Sequence, residues 1–524
     1  MSSSSSVIWM ALGLVATLLT SSWLSRRKRL PLPPGPPKLP LVGNLFNFPS
    51  KFQWKQYAEW SKEYNSDIIH LDVAGTSMIV LSSAEAAEAL LEKRASTYSD
   101  RPRLPMVNEL MGFDFNIGLM RYGERWRTER RLFNQALHAQ ASRQYQPQQL
   151  AGAHMLLEQL SVSPDDFLLH LRQMAARLIM SVAYGINVLP KNDPYVTLAH
   201  KAIHAFSVGA VPGSYLVDSF PILKHIPRWF PGAGFKRQAE EWRKLARDMS
   251  ELPFAETKRQ MASGTHRSSF AADSIQKLRD RQTDSYYQEH HIQETAGTMF
   301  IGGADTTVSS ISTFILAMLV NPEAQKRAQA EIDSVTAGGL RLPSFDDYSE
   351  DTMPYVAAVV KEAMRWENVL PAAAPHLAIV EDEFRGFRIP AGSVVVGNTW
   401  AIMHEEAMYP EPHMFKPEHF LLNGKINPAI RNPDSAFGFG RRLCPGRHLA
   451  LSTIWINIVS ILATFNISKA KDEDGNIIEP TQEFFSGLIS SPLPFKCSIT
   501  PRSKEAVELI RAAVKDDLAV KGDL

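Results

Sequence analysis

One cysteine sits inside a run of glycines and cations, Phe437-Gly438-Phe439-Gly440-Arg441-Arg442-Leu443-Cys444-Pro445-Gly446, and this loop constrains the fold more than any other segment. Glycines on both sides of Cys444 let the backbone approach a flat ligand closely, with its N–H groups turned toward the sulfur. Phe437 can cover the loop, and Arg442 offers a fixed cation for a carboxylate. A free thiol titrates at about 8.5, whereas a metal-bound one is deprotonated outright. Taken alone, the loop also fits a small buried cysteine in a glycine-rich turn. A match of Phe, Gly, Arg, Cys and Gly at fixed spacing has chance odds on the order of one in 10⁵ for a chain this long, which favours the ligand loop. The second cysteine, Cys497, lies in a short apolar strand pattern and reads as core filling. Two cysteines exclude a disulfide framework or a multi-cysteine zinc site and suit a reducing, cytosol-facing environment.

Three other groups of residues carry chemistry. Gly302-Gly303-Ala304-Asp305-Thr306-Thr307 falls inside a long helical pattern over residues 286–320, stopped by Asn321-Pro322. Each glycine there costs about 1 kcal/mol relative to alanine. The sequence thus accepts a poor helix where the backbone passes close to a ligand and opens a groove. Asp305 and Thr306 add a carboxylate and a hydroxyl able to relay protons, and a glycine kink with its threonine bonded back to the preceding turn is the plainer alternative. Glu362 and Arg365, three apart, share a helix face. Trp126 and Arg130, four apart, share another, and His376 follows Pro371 and Pro375.

Together these residues resemble the cytochrome P450 family, over essentially the whole chain and most closely its fungal microsomal members, including those that oxidise polyketide-derived xanthones or tryptamines. The resemblance implies a mainly α fold with small β-sheets. It implies haem b with the Cys444 thiolate as its axial iron ligand, and Phe437, Arg442 and Gly446 in the haem loop. It also implies Trp126, Arg130 and His376 as propionate-holding residues. Asp305 and Thr306 fall in the oxygen-activation groove. Glu362 and Arg365 match a buried structural pair that the family completes with an arginine, where this chain has His419 in Phe415-Lys416-Pro417-Glu418-His419-Phe420. The segments 113–120, Ala304, 372–374 and 485–489 match substrate-contacting regions. No flavin or nicotinamide fingerprint occurs, so the resemblance implies electrons from NADPH through a flavoprotein reductase, O₂ as co-substrate and a lipophilic small molecule as substrate. A thiolate pushes electron density onto iron and promotes O–O cleavage, and the protein supplies ligation, protons and orientation. The expected activity is monooxygenation in secondary metabolism, on a terpenoid, an aromatic polyketide or an indole. Desaturation or rearrangement by the same haem enzyme, and a non-catalytic haem-binding membrane protein, stand as alternatives, and the Asp305-Thr306 pair argues against the last.

The front of the chain reads as a membrane address. Residues 7–24 carry no charge and reach the short end of a bilayer span, with Trp9 and Trp23 near the two ends. Arg26-Arg27-Lys28-Arg29 follows at once, which places all later residues in the cytosol. The expected organisation is a signal anchor over 1–25, a basic and proline-rich linker over 26–50 and a haem-thiolate catalytic domain over 51–524. The anchor predicts single-pass residence in the endoplasmic reticulum membrane and contact with lipid. The prolines at 31, 33, 34, 36 and 37 suit either a stiff strut or a plain linker. Net charge, 56 − 55 = +1, gives no basis for a nucleic-acid partner.

Apolar periodicity predicts helices over 83–94, 121–139, 165–184, 238–261 and 355–366. It also predicts a hairpin of 67–73 with 77–81 around Gly75, and a strand–turn–strand over 384–396 with its turn at Pro390-Ala391-Gly392. Residues 211–235, aromatic-rich with four prolines and few charges, suit a lipid-touching or substrate-admitting surface, with a buried loop as the other reading. The last twenty or so residues suit a surface helix or a loose tail.

Overall fold

The structure is a computed structural model and describes residues 30–189, 192–211, 213–280 and 286–522. The uncharged stretch 7–24 and the basic cluster at 26–29 lie outside the described residues. The fold is mainly helical with small sheets. Its axis is the helix Glu289–Val320, whose residues from Thr307 to Leu319 are all buried. Helix Phe167–Tyr184 packs along it, and Gly234–Ser263 and Arg447–Thr464 flank it. Glu289–Val320 and Arg447–Thr464 are apolar enough to cross a membrane, yet 78% and 72% of their most apolar windows are buried inside the protein. They are core helices.

The main sheet has the order β1-β2-β6-β3. Strands β1 (Ile68–Val73) and β2 (Thr76–Leu81) form the expected hairpin, turning through Ala74 (φ 50°) and Gly75 (φ 84°). β3 (His376–Leu377) pairs antiparallel with β6 (Val394–Gly397), which runs parallel to β2. The expectation over 384–396 is corrected here. A hairpin forms earlier, between β4 (Asp382–Phe384) and β5 (Phe387–Ile389), because Arg385 and Gly386 take φ of 50° and 78°. Two successive positive φ values are what a tight hairpin turn needs. Pro390–Gly392 then hands the chain to the main sheet instead of closing a hairpin.

The proline-rich segment is fastened to the body. Pro34 O accepts from His70 N at 2.8 Å, Pro31 O from Arg388 N at 2.8 Å, and Pro36 O from Asn44 Nδ2 at 3.2 Å. These bonds hold Pro31, Pro34 and Pro36 against the body. At the other end, helix Lys504–Gly522 docks on Gln146–Val162, with Ile510 fully buried and Asp517 paired to His154 at 2.9 Å. The charged tail is therefore a surface helix. Residues 213–235 form short helical turns that expose Leu216, Phe220, Ile222, Trp229 and Phe230, which sets aside the buried-loop reading.

Candidate functional site

An internal cavity of about 320 Å³ opens between the long helix, the cysteine loop and β3. Cys444, Phe437, Arg442, Gly446, His376 and Thr306 all line it. The cysteine loop is held by its own backbone, with Cys444 N donating to Phe437 O at 2.8 Å and Leu443 N to Gly440 O at 3.2 Å. Gly440, at φ 54°, comes so close to Leu91 that an added Cβ would lie 2.1 Å from its carbonyl oxygen. No other residue fits there. Burial pushes the Cys444 thiol up, while the Gly446 N–H, Arg130 and Arg447 favour the thiolate.

The cations expected around a haem are present and under-used. Arg442 donates to Ser99 O at 2.6 Å and Ile117 O at 3.2 Å, and its guanidinium carbon stands 4.5 Å from the Trp126 ring centre. Its Nη2 is buried without a partner. Arg130 is largely desolvated, which penalises its charge, and Cys444 is its nearest compensation. It makes no hydrogen bond among the described residues. His376 Nδ1 donates to Tyr98 O at 2.8 Å, and burial followed by Arg101 holds its pKa far below the usual histidine range. A sulfur donor with unpaired cationic groups suits a metal-bearing macrocycle with anionic arms, so these residues fit haem. Trp126 and Arg130 are not among the residues lining the cavity, and the Trp126 ring lies against the Arg442 guanidinium.

The helix over the cavity is continuous, so its glycines open space without breaking it. A Cβ on Gly302 would meet nothing within 4 Å, whereas one on Gly303 would fall 2.9 Å from Ile179 Cδ1. One glycine thus clears the cavity wall and the other permits close packing on Phe167–Tyr184. The Thr306 hydroxyl donates to Gly302 O at 2.5 Å, the back-bonded geometry, while the residue still lines the cavity. Asp305 does not line it. Its carboxyl is held above the usual range, first by burial, with His200, Arg172 and His204 opposing. His200 and His204 stand on the helix Pro194–Gly209 and Arg172 on Phe167–Tyr184.

Of the expected substrate-contacting residues, Asn116, Ile117, Gly118, Leu119, Ala373, Ala374, Leu488 and Ile489 line the cavity. Ala304 is buried elsewhere. Arg101 is a cavity residue the sequence pattern missed: it is 4% exposed and donates to Gly118 O at 2.8 Å and to Ala374 O and Pro375 O at 2.7 Å each. Asp100-Arg101 stands in irregular chain, with no periodicity or motif to mark it.

The pair behind the cavity is intact. Arg365 donates to both Glu362 oxygens at 2.7 Å and to the carbonyls of Met403, Pro412 and Met414, all at 3.1 Å or less. His419 fills the third place, with Nδ1 3.2 Å from Glu362 Oε1 and Nε2 donating to Pro410 O at 2.6 Å. Cys497 is buried in the strand Cys497–Pro501, as core.

Comparison with known proteins agrees with this geometry. The family profile described as Cytochrome P450 matches residues 33–499. A cytochrome P450 monooxygenase, ple1, of Rhodocybe pseudopiperita is 44% identical over 96% of this chain and 95% of its own length. Cytochrome P450 monooxygenase 98 of Postia placenta is 45% identical, covering 93% and 94%. Tryptamine 4-monooxygenase of Psilocybe cyanescens is 42% identical, covering 93% and 96%. With its cysteine loop, glycine-opened helix and buried Glu362–Arg365 pair in place, the chain belongs to the cytochrome P450 family and is a cytochrome P450 monooxygenase.

Proposed function

We propose that this enzyme is anchored to a membrane and inserts one oxygen atom of O₂ into a lipophilic secondary metabolite. The observation that carries the reading is one apolar cavity shared by Cys444, Thr306 and the side chains of Ile117, Leu119, Phe133, Ile179 and Leu488. Such a surface favours an apolar ligand by about 25 cal/mol per Å² removed from water. A terpenoid, an aromatic polyketide or an indole suits it better than a sugar or an organic acid. The relative that acts on tryptamine supports the indole arm.

Members of the family carry haem held by a cysteine thiolate and receive electrons from a reductase. When bound, haem supplies the activation of O₂ and the oxidation of the substrate. Cys444 is the residue to hold the iron, with Phe437 and Gly446 shaping the loop, and Arg442, Arg130, His376 and Trp126 placing the propionates. The Thr306 hydroxyl lines the cavity while donating to Gly302 O, and its oxygen would accept from a proton donor there. Asp305, whose carboxyl burial holds above the usual carboxylate range, would be the carboxylate of the relay beside Thr306. Phe206 and the 116–119 segment exclude water and orient the substrate.

The anchor over residues 1–25 and the linker over 26–50 would set the catalytic domain, 51–524, against the cytosolic face of the endoplasmic reticulum. Two exposed apolar segments support lipid contact: Leu39, Leu41 and Phe46 on one, Leu216, Ile222 and Trp229 on the other. They are neighbours, since a Cβ on Gly213 would lie 3.2 Å from Phe48 Cε1. The partner for electrons would be an NADPH-dependent flavoprotein reductase. Exposed Arg127 and Arg441 sit over the Tyr122 ring, 5.7 Å from its centre, and offer an acidic partner a landing point near Cys444. Co-expression with a reductase in a host fed a metabolite panel tests the function, with mass spectrometry as readout. An apolar terpenoid, polyketide or indole should gain one oxygen atom. Turnover confined to sugars or organic acids would contradict the reading.

A further inference from the structure

The wall of the main cavity carries one carboxamide among its described lining residues, that of Asn116. The backbone groups of this residue are spent inside its own loop. Asn116 N donates to Phe113 O at 2.9 Å, and Asn116 O accepts from Leu119 N at 3.1 Å and Met120 N at 2.9 Å. Asn116 Oδ1 accepts from Gly118 N at 2.8 Å. A backbone N–H can only donate, so this bond holds the carboxamide with its oxygen on Gly118 and its NH₂ free for another group. Nδ2 has no partner among the described residues, and unlike the sealed donors Trp54 Nε1 and Tyr57 Oη it keeps open surface. The residue is only 5% exposed, and the open space it borders is the cavity. Gly118 lines the same wall and has no side chain to cover the amide; a Cβ there would lie 2.9 Å from Asn116 Oδ1.

Thr298 fixes where this stretch sits. Its hydroxyl accepts from Ile117 N at 3.3 Å and donates to Phe115 O at 3.1 Å, so it is itself satisfied. It stands roughly two turns, about 12 Å, before Thr306 on the helix Glu289–Val320. A buried donor without a partner is costly and calls for an acceptor. A neutral amide does not offset the desolvation of an anion, which favours a neutral oxygen. An oxygen that only accepts fits best, since a hydroxyl would bring a proton of its own into an apolar wall.

We propose that Asn116 is a specificity-determining residue whose Nδ2 donates to a carbonyl oxygen of the substrate, set away from the Thr306 end of the chamber. The inference rests on the main cavity being the substrate chamber. It narrows the substrate from any apolar molecule to one with an apolar body and a carbonyl.

The test uses the full-chain holoenzyme and three pairs of rigid probes matched in shape: indanone and indane, fluorenone and fluorene, anthrone and dihydroanthracene. Each is titrated by the change in the haem absorbance spectrum. At least one ketone should bind about tenfold more tightly than its hydrocarbon. Asn116→Leu should remove most of that preference while the hydrocarbons still bind. Asn116→Asp keeps an acceptor for Gly118 N and, once ionised, offers a ketone no donor, so it should lose the preference with the loop bond in place. That variant carries the test if Asn116→Leu fails to fold. A wild-type enzyme that binds the hydrocarbons but prefers no ketone would overturn the role of Asn116 and leave the chamber standing. A preference unchanged in the variants would also overturn it and hand the carbonyl to Arg101 or Arg442. A haem spectrum altered in both variants without any probe would assign the amide to the haem and overturn the proposal. Failure of every probe to bind, with the reduced carbon-monoxide spectrum intact, would overturn the chamber and the Asn116 contact together.

Discussion

Replacing His419 and Arg365 in turn measures how the buried pair behind the haem loop is built. His419→Ala removes the 2.6 Å bond to Pro410 O and the longer 3.2 Å contact to Glu362 Oε1. A neutral bond contributes about 1 kcal/mol and one to a charged group about 1.5, and the stranded Pro410 carbonyl adds about 1 more. The sum is roughly 3.5 kcal/mol. Glu362 nevertheless keeps the Arg365 fork and the Lys416 N–H at 2.8 Å, so the variant should fold and bind haem. Arg365→Leu strips that fork from a carboxylate that is 0% exposed, which by itself costs about 3–5 kcal/mol. It also leaves the Met403, Pro412 and Met414 carbonyls without their donor, at about 1 kcal/mol or more each. That total approaches the roughly 5–15 kcal/mol by which a folded domain is stable. Urea titration followed by the reduced carbon-monoxide spectrum should show His419→Ala with a lowered midpoint, and Arg365→Leu with no thiolate signal even without urea. If the two variants were equally mild, Arg365 would not be the hub and the ranking would be refuted.

Four further outcomes follow from the same geometry. Thr306→Ala should preserve haem and substrate binding but divert NADPH-derived electrons to peroxide; an unchanged product yield per NADPH would remove Thr306 from proton delivery. Ala373→Phe should block turnover while carbon monoxide still binds, and normal turnover would show that this wall lies outside the substrate path. Charge reversal at Arg127 and Arg441 should slow reduction by the reductase more at low salt than at high salt, and equal slowing would rule out steering by this patch. Glu129, fully buried beside Glu294 and 3.5 Å from Arg125 Nε, is held above the usual carboxylate range, first by burial and then by Glu294. A raised folded pKa gives stability that is present below the unfolded value of about 4.3 and declines as pH rises toward the folded one. Glu129→Gln should therefore flatten that decline and gain on the wild type as pH rises, and parallel stability–pH curves would show that Glu129 is ionised in the folded protein.

Much of the site was legible because its residues are few, fixed in spacing and chemically unusual. Cys444, Phe437, Arg442 and Gly446 stand in one loop, and Thr306 follows a glycine pair that no ordinary helix would carry. The helices with one polar face, such as Glu124–Leu137 and Pro354–Trp366, announced themselves by periodicity. Arg447–Thr464 did not, since it is buried on most sides and has no polar face to set a period. The early turn at Arg385-Gly386 was hidden by the stronger-looking Pro390–Gly392. Arg101 and Asp305 show the other limit. Their roles depend on which neighbours tertiary packing brings near, the carbonyls of Ala374 and Pro375 for one and the helix Pro194–Gly209 for the other. His419 could be read as a departure, but only the fold shows that its two ring nitrogens reach Glu362 and Pro410.

The central claim is that Cys444 holds the haem iron, and the reduced carbon-monoxide difference spectrum of paired cysteine variants tests it most directly. The wild-type protein and Cys497→Ala should both give the thiolate-ligated spectrum, since Cys497 is core filling in a strand, and Cys444→Ala should lose it. Loss of that spectrum in Cys497→Ala, or its survival in Cys444→Ala, would contradict the assignment.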